Sequence, residues 1–126
     1  MHVVLADKQK DVVSALQFVL RMHHRDWEFF PATRLPELFQ ILALGCPDLL
    51  IIDWGMQALY ERNPFPQVCG RNLFAAIHTC CSGLYTIVLD LNPETERLAM
   101  RWGANAFVCK ADPPETLLLA IQALVK

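Results

Sequence analysis

Short β-rich runs alternate with stretches of helical periodicity along the whole chain, and this alternation narrows the folds open to it more than any other feature. His2 to Ala6 reads as a strand, and Val12, Leu16, Val19 and Leu20 then recur as one face of a helix. Trp27 to Phe30 is a short second strand, and Leu38, Ile41 and Leu42 mark a helix that Gly45 and Pro47 end. Asp48 to Asp53 is a continuous apolar run ending in an acid, the kind of strand buried on both faces of a parallel sheet. A long loop without period is expected between Asp53 and Gly70, containing Pro64 and Pro66. A helix resumes near Asn72, Leu84 to Leu89 forms a fourth strand, and Asn92-Pro93-Glu94 caps the following helix. Ala106 to Cys109 is a fifth strand. Asp112-Pro113-Pro114-Glu115 reads as a capping box before the last helix, whose inner stripe is Leu117, Ile121, Leu124 and Val125. Five β–α units predict an α/β fold: a doubly wound parallel sheet with right-handed crossovers and helices on both faces.

The 126 residues are read as a single domain, 1–126, and 54% hydrophobic content is ample for its core. A net charge of −2 gives no electrostatic footprint for direct nucleic-acid binding or an anionic membrane. No apolar run approaches the ~20 residues a membrane span needs, and Asp7, Lys8 and Lys10 interrupt any signal-peptide pattern. Cys46, Cys69, Cys80, Cys81 and Cys109 are odd in number and lack framework spacing, so reduced thiols in a cytoplasmic setting are expected. His23, His24 and His78 show no metal-ligand pattern.

In open α/β sheets, ligands bind beyond the carboxyl ends of the strands. Those ends carry Asp7-Lys8, Asp53, Asp90 and Lys110, a concentration of charge that marks one functional rim. Together with their order and spacing, Val4 to Lys8, Pro47 to Met56 and Gly103 to Lys110 resemble the response-regulator receiver domains of two-component signalling. The resemblance covers nearly the whole chain and implies a five-stranded sheet in the order 2-1-3-4-5. It implies Asp53 as phospho-acceptor, Asp7 as the first acid of a magnesium pocket, Lys110 as the phosphate-contacting lysine and Phe107 as the switch aromatic. It implies Mg²⁺ held by Asp7, Asp53 and the Gly55 backbone. Its partners would be a histidine kinase or phosphotransfer protein, with homodimerisation a further option. The domain would be no enzyme beyond catalysing its own phosphorylation and dephosphorylation.

Three departures bear on that reading. Lys8 replaces the second acid, Asp90 replaces the usual Ser or Thr, and Gln57 stands where the family pattern has proline. An ionised Asp90 repels a phosphoryl group and cannot donate to it. The opposite signs of the first two changes suggest that Lys8 bridges Asp53 and Asp90 in place of a metal; the plainer reading is Lys8 pointing to solvent. The alternative function is therefore a phosphorylation-independent pseudo-receiver, a protein-binding module, with the loop over 57–69 as one surface for it. A flavin site is disfavoured because Asp7 to Asp11 offers no phosphate-binding loop. An aspartate-nucleophile phosphatase is disfavoured because Gly55 stands where a second acid is needed.

Overall fold

A computed structural model describes residues 1–62 and 72–125. Five parallel strands, β1 His2–Ala6, β2 Glu28–Ala32, β3 Leu49–Asp53, β4 Tyr85–Asp90 and β5 Ala106–Cys109, form one sheet in the order β2-β1-β3-β4-β5. Between them run α1 Lys10–His23, α2 Leu35–Leu44, α3 Gly55–Arg62, α4 Leu73–Cys80, α5 Thr95–Arg101 and, last, α6 Pro114–Leu124. The expected fold class and strand order are both present.

Strand period assigns the two faces. Val4, Leu50, Ile52 and Val88 point to one side, where they meet Leu38 and Leu42 of α2, Met56 and Tyr60 of α3, Phe74 and Ile77 of α4 and Ala99 of α5. Val3, Leu5, Leu49, Ile51, Ile87 and Leu89 point to the other, against Val13 and Leu20 of α1 and Leu117 and Ile121 of α6. β3 is buried along its whole length, as its unbroken apolar run requires. β2 is an edge strand, and Pro31 within it loses nothing because an edge needs no second partner. Among the described residues, no helix is long and apolar enough to cross a membrane.

Several local expectations are corrected. The stretch after Asp53 is not loop at first: Gly55 to Arg62 is helical, because Met56 and Tyr60 lie four residues apart and both bury against the core. Residues 63–71, with Pro64, Pro66 and Cys69, lie outside the described residues. Asn92 does not cap α5 at its first turn. Its side chain accepts from the Glu94 backbone N–H (3.0 Å), forming a turn before the helix starts at Thr95. The capping box before α6 does not form: Pro113 is the N-cap residue, and no side chain caps the helix there.

The expectation that all cysteines are reduced also fails. Cys46, just after α2, is disulfide-bonded to Cys81, which caps α4, with their Cα atoms 5.6 Å apart. Adjacent Cys80 and Cys81 cannot pair well with each other, but the sheet order brings the end of α4 beside the end of α2, so Cys81 finds a distant partner instead. Cys80 and Cys109 are free thiols.

Leu38 is fully buried between α2 and the sheet. Leu38→Ala is expected to lower unfolding free energy by about 2–5 kcal/mol, read by urea denaturation.

Candidate functional site: a lysine-bridged acid pocket

The register sets the rim. Ala6 pairs with Ile52, Asp53 with Leu89 and Asp90 with Cys109, so the residues just past these strand ends share one edge of the sheet. Three backbone bonds fix the rim beyond the ladders. Asp7 donates to Ala32 O (3.0 Å), Trp54 to Leu89 O (2.8 Å) and Lys110 to Asp90 O (2.8 Å).

Lys110 stands at the centre. Its Nζ lies 2.8 Å from Asp7 Oδ2 and 2.7 Å from Asp53 Oδ1. The remaining oxygens are also engaged: Asp7 Oδ1 accepts from Gln9 N (2.9 Å), and Asp53 Oδ2 accepts from Gly55 N (2.9 Å). Asp7 and Asp53 are 2% and 7% exposed, so their negative charges require compensation. Burial alone would lower the Lys110 pKa, but the hydrogen bonds and charges of Asp53 and Asp7 outweigh it and hold the ammonium above its ordinary value.

The expected role of Lys8 as a bridge between Asp53 and Asp90 is not met. Lys8 is exposed and, among the described residues, makes no ion pair. Its stem is nonetheless drawn over the pocket. A Cβ placed on Gly55 would stand 3.5 Å from Lys8 Cε, 3.7 Å from Lys8 Nζ and 2.6 Å from Asp53 Oδ2. Only the Asp53 contact is too short for a Cβ, so glycine at 55 is what leaves room for the Asp53 carboxylate.

Asp90 is engaged by α5. Its Oδ2 accepts a 2.5 Å hydrogen bond from Thr95 Oγ1, which ties the end of β4 to the first turn of α5. Gln57 has a comparable structural duty: its buried Oε1 accepts from Leu73 N (2.9 Å), satisfying a free donor at the start of α4. Phe107 is half-buried and packs against the core on the α2–α4 face. Beside the pocket, Trp54 stacks on Phe74 (5.7 Å between ring centroids) and meets Trp102 (5.4 Å). Sequence reasoning missed Thr95, the Gln57–Leu73 bond and the grouping of this aromatic trio. The acid at 90 followed five residues on by a hydroxyl was the one readable signal among them.

A magnesium ion asks for a near-octahedral shell of oxygens at about 2.0–2.1 Å. Asp7 and Asp53 both already bind Lys110, and an ammonium lies over Gly55 where the second acid is expected. Among the described residues no group of three or more His, Cys, Asp or Glu could hold a metal. Lys8 thus brings a positive charge where a divalent cation would need an oxygen donor.

The sheet order, the helices on both faces and the acid–lysine rim define the class: the chain has the fold of response-regulator receiver domains. No protein-family model and no curated protein sequence matches it. Among solved structures, it is similar to a CheY-like response regulator receiver domain protein from Methanospirillum hungatei JF-1, at 16% identity and TM-score 0.73, covering 98% of this chain and 91% of that one. It is similar to NtrX from Brucella abortus, solved with ADP, at 18% identity and TM-score 0.78; 97% of this chain is covered but only 25% of NtrX. A response regulator protein from Burkholderia pseudomallei, solved with a phosphorylated aspartic acid, calcium ion and citrate, matches at 15% identity and TM-score 0.71, covering 98% of this chain and 71% of that one.

Two predictions follow from the geometry. A folded pKa raised above the unfolded value means that the Lys110 pairing contributes fully below the ordinary lysine value of 10.5 and is lost as pH rises through the folded value. The stability gap between parent and Lys110→Met is therefore expected to hold from neutral pH up to the ordinary lysine value and to close as pH rises beyond it, measured by urea denaturation across a neutral-to-alkaline pH series. Gly55→Ala forces its methyl against Asp53 Oδ2 and is expected to cost about 1–3 kcal/mol in the same assay.

Proposed function

We propose that this chain is a receiver-type signalling domain that works by protein–protein contact, without phosphoryl transfer to Asp53. The observation that carries this reading is the ammonium of Lys8 beside Gly55 and Asp53, where the family pattern has a second acid. A carboxylate accepts a phosphoryl group only when the charge between them is neutralised, which a divalent cation ordinarily does. Here the cation's place is contested by lysine. Asp90 adds a third negative charge at the rim and spends its acceptor on Thr95 rather than presenting a hydroxyl to phosphate. The charges thus hold the pocket in one arrangement, and partners read the surface around it.

A second reading keeps Asp53 as the acceptor in a two-component phosphorelay, with a histidine kinase or phosphotransfer protein as donor and Mg²⁺ as cofactor. One observation favours it. Asp53 ends β3 with a lysine 2.7 Å away, the arrangement that would balance charge on an acylphosphate. On this reading Asp90, Phe107 and the face around β4 and β5 form the switch, and a change of state alters a partner, an output domain or a second copy of the chain.

Intact-mass spectrometry after incubation with acetyl phosphate and Mg²⁺ separates the two. The parent is expected to gain no phosphoryl group. A Lys8→Asp, Asp90→Thr variant is expected to gain one that needs Mg²⁺ and vanishes when Asp53→Asn is added. A phosphoryl adduct on the parent that Asp53→Asn abolishes overturns the proposal and establishes the phosphorelay.

A further inference from the structure

The Cys46–Cys81 bond joins two elements that share no hydrogen-bonded ladder. Cys46 lies in the exposed turn between α2 and β3, and Cys81 is the buried residue that ends α4. The two sulfurs therefore differ in access: Cys81 is 2% exposed, whereas Cys46 is open to solvent. A thiolate from solution can approach only the Cys46 side, which makes Cys81 the leaving group. The reduced form also fits in place. Cys46 Sγ lies 3.5 Å from the Cys80 carbonyl oxygen, an acceptor for the thiol once it is released.

What the bond anchors is the reason it matters. α4 is only eight residues long. Cys81 closes one end of it, and Phe74, near the other end, stacks on Trp54, the residue next to Asp53. Freeing the Cys81 end removes the covalent tie at one end of the helix whose other end braces the aromatic trio beside the acid pocket. In oxidising compartments such bonds persist, whereas in reducing ones they are usually transient and redox-sensing.

We propose that Cys46–Cys81 is a reversible thiol–disulfide site, reduced by low-molecular-weight thiols, whose state sets the anchoring of α4 and through it the aromatic trio beside Asp53. The chemistry balances as two exchanges. A thiolate RS⁻ attacks Cys46 Sγ, forming R–S–S–Cys46 and expelling the Cys81 thiolate. A second RS⁻ attacks the R sulfur of that mixed disulfide, forming RSSR and releasing the Cys46 thiolate. The two thiolates take protons from water, and two electrons pass from two RS⁻ to the protein. Reoxidation is the reverse, with RSSR as oxidant.

The test equilibrates the full chain in glutathione buffers of graded ratio, traps thiols with iodoacetamide and maps peptides without reduction. In parallel, emission is followed in a Trp27→Phe background, which leaves Trp54 and Trp102 as reporters. The oxidised arm is expected to yield a Cys46–Cys81 cross-linked peptide that disappears under native conditions in the reduced arm. Melting temperature should fall by about 10 °C or more between the arms, given the long loop the bond closes, and the emission should shift. Cys46→Ser in oxidising buffer should match the reduced parent, and Cys80→Ser should titrate as the parent does. Absence of the cross-link at every ratio overturns the proposal, as does a cross-link that glutathione removes only after unfolding. An unchanged emission spectrum on reduction overturns the coupling to the aromatic trio, and loss of reducibility in Cys80→Ser overturns the assignment of attack to Cys46.

Discussion

One ammonium holds the carboxyl edge of this sheet together. Lys110 follows β5, which pairs only with β4, yet its Nζ reaches Asp7 after β1 and Asp53 at the end of β3. The contact spans the sheet above the strands and links segments that no backbone ladder joins. Its strength comes from the mutual predicament of the three groups. Two nearly buried carboxylates on neighbouring strands repel each other, and neither can be left without a counter-charge. The lysine resolves both at once, and the positions of Gln9, Gly55 and the backbone around them follow from keeping the other two oxygens bonded.

Around that centre, the substitutions that set this chain apart have each found separate work. Asp90 ties β4 to α5 through Thr95, Gln57 satisfies a donor at the start of α4, and Lys8 lays its stem across Gly55. None of these contacts depends on a phosphate or a metal. The rim keeps the geometry of a receiver pocket, and its carboxylates are bonded within the protein itself.

Much of this was legible in the sequence. The five apolar runs mark their own strands because a parallel sheet buries both faces, and the charged residues after them identify the rim because the topology sends every strand end to one edge. The identities of Lys8, Asp90 and Gln57 as departures were equally plain. Their partners were not, since a contact such as Gln57 to Leu73 depends on how α3 lies against α4, which periodicity does not encode. The helix from Gly55 lacks a capping signal and runs towards two prolines, so its two buried apolar positions were too few to outweigh a loop reading. Cys46 and Cys81 are brought together only by the packing of α2 beside α4. Lys8 illustrates the converse limit: its charge suggested a bridge between Asp53 and Asp90, but Asp53 pairs with Lys110 and Asp90 with Thr95.

The strand order also has a bearing on how the protein is made. After β2, each successive strand lies on the same side of the sheet: β3 against β1, β4 against β3, β5 against β4. Lys110 follows the fifth strand, so the charge balance of Asp7 and Asp53 is complete only when the domain has folded as a unit. The residue that closes the pocket thus follows both of its acids in the order of synthesis.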